Sequence, residues 1–166
     1  MTPFFRRLTR SLTIRAGLFL IVVVATMALV AGWLHPGDPL ELVGGPLMAP
    51  FEDPQIWLGT DSQGRSVAAQ LFHGARTSLL IGFCATGIAV VVGVVVGAIS
   101  GYYGGWVDTL LMRVTEAFQT VPNFILLLVL VVIFGSRLST LAVVIGVVSW
   151  TAPARLTRAE FLTLRG

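Results

Sequence analysis

The chain alternates long uncharged runs with short charged segments. Residues 16–37, 77–107, 117–136 and 138–154 carry no formal charge. A helix needs about 20 mostly apolar residues to cross the hydrocarbon of a bilayer. The pattern therefore predicts four spanning helices: residues 16–33, 78–100, a third beginning near Val107, and 138–154.

Between the first and second runs the pattern changes twice. Pro36, Pro39, Pro46, Pro50 and Pro54 forbid a continuous helix. From Ser66 the prolines stop, and Val67, Ala68, Leu71, Phe72 and Ala75 recur at helical spacing. That reads as a short amphipathic helix lying on the outer interface, capped by Ser66 or Asp61. The second span carries Gly93, Gly97 and Gly101, four apart, a face that lets another helix approach closely. The turn Gly101–Trp106 ends that span with glycines and headgroup-level aromatics.

The third helix is amphipathic at membrane depth. Val107, Leu110, Leu111, Val114, Phe118 and Val121 form one face. Arg113, Glu116, Gln119, Thr120 and Asn123 form a polar stripe, with a kink expected at Pro122. Polar groups inside a membrane face protein or water, so this stripe is the candidate functional face. Arg113 and Glu116, three apart, read equally well as a local ion pair at the inner surface. After the fourth span, Leu156, Phe161 and Leu164 alternate with Arg155, Arg158, Glu160 and Arg165 in an amphipathic segment that ends the chain at Gly166.

Composition agrees with the pattern. Hydrophobic residues make up 55% and charged residues 11%. That is too little charge to cover a soluble surface. A net charge of +3 without any lysine, and with no basic cluster beside stacking aromatics, argues against a nucleic-acid partner. Arg6, Arg7, Arg10 and Arg15 precede the first span. Arg155, Arg158 and Arg165 follow the last, while the loop at 34–76 is net acidic. The positive-inside rule then places the N-terminus in the cytoplasm and that loop outside. The first span is longer than the apolar stretch of a signal peptide and ends in Trp33, so it is read as an anchor.

Catalytic constellations are missing, and no enzyme activity, cofactor or metal is expected. His35 and His73 lie far apart in sequence and read as solvated loop or interface residues. The single cysteine, Cys84, reads as a packing residue.

Three blocks carry a resemblance. Leu58-Gly-Thr-Asp-Ser-Gln-Gly-Arg65 followed by Gly74-Ala-Arg-Thr-Ser-Leu79 is the first. Gly101-Tyr-Tyr-Gly-Gly-Trp-Val-Asp108 with Leu111-Met-Arg113 and Pro122 is the second. Trp150 with Ala154-Arg-Leu-Thr-Arg158 and Leu162-Thr-Leu-Arg165 is the third. Together they resemble the C-type inner-membrane permease of the dipeptide, oligopeptide and nickel ABC importers. Ser66 stands where that family usually has aspartate.

The resemblance implies an all-α, type I importer permease, of which this chain holds the first four of about six helices. It implies four parts: a cytoplasmic tail (1–15), a first span (16–33), an external loop with an interfacial helix (34–76), and the start of the transporter domain (77–166). It also implies a second homologous permease, two cytoplasmic ATPases docked beyond the segment with Arg155, Arg158, Glu160 and Arg165, an extracytoplasmic binding protein, and membrane lipid. The docking motif is expected just after Gly166, which makes the chain the front part of a longer subunit. The competing readings are a small homo-oligomeric four-helix transporter not coupled to an ATPase, and a membrane-embedded enzyme.

Overall fold

The structure, a computed structural model, describes residues 11–165, with the side chain of Arg165 outside the description. Arg6, Arg7, Arg10 and most of the expected tail also fall outside it. The described residues are all-helical, in six helices. These are α1 (Leu12–Leu34), α2 (Val67–Tyr103), α3 (Gly105–Thr120), α4 (Asn123–Phe134), α5 (Leu138–Ser149) and α6 (Thr151–Arg165). The chain divides into two compact units, residues 1–79 and 80–166, each described on its own.

In the first unit, α1 is apolar on all sides and begins at Leu12, ahead of the expected span. Arg15 does not delay it, because a long basic side chain at a helix end reaches out to water. Leu18, Phe19 and Ile21 are 61%, 67% and 67% exposed. Side chains that face lipid are apolar and uncovered in this way. The Thr26 hydroxyl donates to the Val22 carbonyl at 2.7 Å. That bond satisfies the hydroxyl within its own helix. His35 and Pro36 end the helix.

The loop that follows is irregular but folded, and the Leu58–Arg65 block organises it. Thr60 Oγ1 donates to the Gly45 carbonyl at 2.6 Å and accepts from Met48 N at 2.9 Å. Asp61 Oδ1 accepts from the backbone amides of Gln63 and Arg65, at 2.8 and 3.0 Å, and Oδ2 accepts from Gln70 Nε2 at 3.0 Å. Gly59 and Gly64 sit at φ +73° and +81°, pressed against the Met48 and Gly44 carbonyls. Only glycine combines that conformation with so close an approach. Ser66 caps α2 by accepting from Ala69 N at 3.3 Å. This is the N-cap bond expected of a serine. Asp61 serves the loop and does not cap the helix.

A separate interfacial helix is not formed. Residues 67–103 are one helix of 37 residues. At about 1.5 Å per residue it is about 55 Å long. Arg76 interrupts the apolar run without interrupting the backbone, since no proline lies between Ser66 and Pro122. Hydrophobicity marks where a helix enters lipid; backbone chemistry decides where it stops.

In the second unit, α2 from Leu80 onward is the spine. Ala85, Ala89, Gly93, Gly97 and Gly101 recur every four residues and are all buried. A Cβ on Gly146 of α5 would stand 2.7 Å from Ile88 Cβ and 2.8 Å from the Ala85 carbonyl of α2. α4 and α5 pack as a short antiparallel hairpin across Gly135–Arg137.

Among the described residues two helices, α1 and α2, are long and apolar enough to cross a membrane unaided. Each of the bent pairs α3–α4 and α5–α6 supplies up to one more span. The third expected span is not a kinked rod: it breaks by 84° between α3 and α4 at Pro122. Proline lacks the amide hydrogen that would continue the ladder. The fourth bends by 40° at Trp150, and Pro153 follows in the first turn of α6. α4 and α5 have 12 residues each. That is about 18 Å, so neither alone crosses the roughly 30 Å hydrocarbon layer.

Candidate functional site

The polar stripe sits almost wholly on α3, and the break at Pro122 cuts it. Arg113, Glu116, Gln119 and Thr120 lie on α3, whereas Asn123 opens α4 on the far side of the bend. All five are exposed. Arg113 Nη1 and Glu116 Oε2 pair at 3.0 Å, with both side chains open to the surroundings. This is the local ion pair, worth at most about 0.5 kcal/mol in an exposed helix. Thr120 Oγ1 donates to the Glu116 carbonyl at 3.0 Å, so its hydroxyl is satisfied within its own helix.

α3 and α6 face each other, which brings together two sets of residues that the sequence kept apart. Arg155 Nη1 donates to Gln119 Oε1 at 3.2 Å. Between the two helices lies a groove of about 780 Å³, lined among others by Met112, Glu116, Gln119, Arg155 and Leu156. Its floor includes Thr115, which is buried and donates to the Leu111 carbonyl at 2.8 Å. Phe118 of α3 meets Trp150 edge to face, with ring centroids 5.6 Å apart. That favourable aromatic geometry closes the end of the contact next to the 40° bend. Glu160 is exposed on α6, and the Arg165 side chain lies outside the described residues.

At the other end of this contact is a cluster that pattern reading misses. Arg158 of α6 grips Asp108 of α3 with two parallel bonds, Nε to Oδ1 at 2.5 Å and Nη2 to Oδ2 at 2.6 Å. Such charge-assisted forks are among the stronger hydrogen-bonded pairs. Ser100 of α2, fully buried, donates its hydroxyl to Asp108 Oδ1. In the sequence Arg158 reads only as part of the cytoplasmic segment, and Asp108 only as part of the Gly101–Asp108 block. The signal available there is the isolation of Asp108, the first charge after the uncharged run 77–107.

The three glycines place their backbones against α6. A Cβ on Gly93 would stand 2.6 Å from Pro153 Cβ, and one on Gly101 would stand 2.5 Å from Phe161 Cβ. One on Gly97 would run into the Ala154 carbonyl.

His35, just after α1, and His73, on α2, are neighbours, not separately solvated. His73 Nε2 donates to the His35 carbonyl at 2.9 Å, and the His35 ring lies 5.3 Å from Phe72 and 5.6 Å from Trp57. Burial, and then the nearby His73, holds the pKa of His35 below its usual value. The Arg65 backbone amide, and then the Gln70 side chain, lowers that of Asp61.

Residues 93–165 match the family described as binding-protein-dependent transport system inner membrane component. The chain is 32% identical to the dipeptide transport system permease protein DppC of Bacillus subtilis, over 97% of this chain and 50% of the relative. It is 32% identical to the oligopeptide transport system permease protein OppC of Haemophilus influenzae, over 96% of this chain and 52% of the relative. It is 31% identical to the glutathione transport system permease protein GsiD of Pectobacterium atrosepticum, over 98% of this chain and 54% of the relative. The chain thus spans about half the length of the curated relatives it matches. With an all-helical fold, up to four membrane spans and a match through the α2–α6 region, the chain belongs to the family of inner-membrane permease components of binding-protein-dependent transport systems.

Proposed function

We propose that this chain serves in the permease subunit of an ATP-driven importer that moves peptides, or a related small solute such as nickel, across the cytoplasmic membrane. The chain itself does no chemistry. ATP binding and hydrolysis on two cytoplasmic ATPases drive alternating access. A second homologous permease completes the path, and an extracytoplasmic binding protein delivers the solute. The N-terminus lies in the cytoplasm, an orientation supported by the arginines before α1 and after α5.

One observation carries the reading of the site. Arg113, Glu116 and Gln119 stay exposed on α3, in a stretch, residues 77–154, whose only other charges are Asp108 and Arg137. At membrane depth such a face is stable only against water or protein. It therefore lines the translocation path or meets the partner permease, and the groove beside it offers both a carboxylate and a guanidinium. Those are the groups that recognise the two charged termini of a peptide.

The test uses the intact importer in proteoliposomes with a labelled dipeptide. Alanine at Glu116, Gln119 and Asn123 together is expected to lower uptake at least about tenfold, a loss of ~1.4 kcal/mol or more. Cysteines at these positions are expected to react with a water-soluble reagent. Unreactive cysteines together with full uptake in the alanine variant would remove the assignment.

A further inference from the structure

We infer that Asp108 and Arg158 are positioning residues that pin α6 to α2 and the start of α3, so that α6 and the C-terminal half of α2 move as one body during transport. The inference rests on the reading above of an ATP-driven permease, in which α6 leads toward the ATPase.

Three observations converge. First, α5 does not dictate the direction of α6, because the chain bends by 40° at Trp150 between them. What α6 packs against must hold it. Second, the packing is backbone to backbone over two turns of α2. Gly93, Gly97 and Gly101 leave no room for even a methyl group between α2 and the Trp150–Phe161 stretch. Surfaces meshed this closely leave no void to take up a displacement, so they pass it from one helix to the other. Third, the far end of the seam is closed by charge. Arg158 reaches across with a two-bond grip on Asp108, and the buried Ser100 hydroxyl holds the same carboxylate from α2. The Asp108 and Arg158 side chains are only 16% and 32% exposed, unlike Arg113 and Glu116 at 77% and 63%. The exposed pair joins one helix to itself. The sheltered pair joins three helices.

Arginine suits this role because its planar fork fixes direction as well as distance. If either partner is removed, the other keeps a partly sheltered charge with no counter-ion, and α6 is then free to swing at Trp150.

The experiment uses the full-length subunit in its complete complex, with Cys84 and every other native cysteine replaced by serine. Spin labels at Thr109 and Thr163 report the distance between the start of α3 and the end of α6. The same samples are assayed for peptide uptake and ATP hydrolysis. In the otherwise unaltered protein the label distance is expected to stay single and unchanged with and without ATP. D108N and R158Q are expected to assemble with the ATPase, to broaden the distance, and to lose uptake at least about tenfold while ATP hydrolysis persists.

The charge-swapped D108R/R158D variant is expected to recover at least about a third of the uptake. In a D108C/R158C variant, a short bis-thiol linker is expected to raise the uptake obtained per ATP in the same sample. The inference is overturned by a label distance that changes with ATP in the unaltered complex, by single variants that keep full uptake per ATP, or by a cross-link that fails to restore it. Should the unaltered complex show no ATP-driven uptake while the label distances behave as expected, the transport reading falls and the pin stands.

Discussion

Single residues in this chain separate by what surrounds them rather than by type. Gly82 and Gly97 sit on the same helix. A Cβ meets nothing within 4 Å at Gly82, but meets the Ala154 carbonyl at Gly97. Gly82→Ala is therefore expected to be neutral or to stabilise by up to about 1 kcal/mol, through helix propensity alone. Gly97→Ala is expected to destabilise by about 1–3 kcal/mol, because α6 must move away from a backbone contact. Melting of the two purified variants in one detergent compares them directly.

Asp61 gives a prediction of a different kind. Its folded-state pKa is lowered by bonds from the Arg65 amide and Gln70. The order it gives the loop is thus complete above the ordinary carboxylate value of about 3.9 and is lost as pH falls through the lower folded value. Hydrogen exchange at the Gln63 and Arg65 amides should accelerate in that acid range. In Asp61→Asn the exchange should already be faster at neutral pH, since a neutral amide oxygen is a weaker acceptor than a carboxylate.

At the scale of elements, breaks carry as much information as helices. The two apolar lengths expected beyond α2 are present, but each is divided into a pair. Pro122 removes one amide donor, and the chain turns by 84° where the sequence predicts a kink. A single proline permits a smaller bend. Here Val121 and Pro122 both leave the helical conformation, at ψ 126° and 125°, and α4 then packs along α5 in a hairpin of two short helices. Pro122→Ala is expected to extend α3 by a residue or two and to open the bend only partly. Spin-label distances between Met112 and Leu130 measure it: a fully straightened rod would show that the proline alone sets the angle.

The merging of the expected interfacial helix into α2 makes the same point from the other side. A charge at Arg76 looks like a boundary in a hydropathy pattern, yet it costs the backbone nothing. In the sequence the block at Leu58–Arg65 reads as a family mark. In the structure its threonine, aspartate and glycines tie residues 43–48 to the beginning of α2. Spacing does not reveal this, because the partners of Thr60 lie 12 and 15 residues away.

For the molecule as a whole, charge distribution sets the expected orientation. Ser62 lies exposed at the tip of the folded loop. In cells expressing the full-length subunit, with Cys84 and every other native cysteine replaced by serine, Ser62→Cys is expected to react with a membrane-impermeant maleimide added from outside. Arg155→Cys is expected to react only after the membrane is opened. The reverse pattern would invert the topology.

The all-helical class, the membrane location, the polar face of α3 and the small-residue face of α2 were settled by the sequence alone. They depend on which side chains tolerate lipid and which let backbones touch, and these are properties of residues and short spacings. Only the tertiary structure decided where helices break, that α6 turns back onto α2, that Gln119 meets Arg155, and that Asp108 holds an arginine 50 residues away. Those facts follow from how surfaces mesh, and a pattern read along one chain contains no term for that.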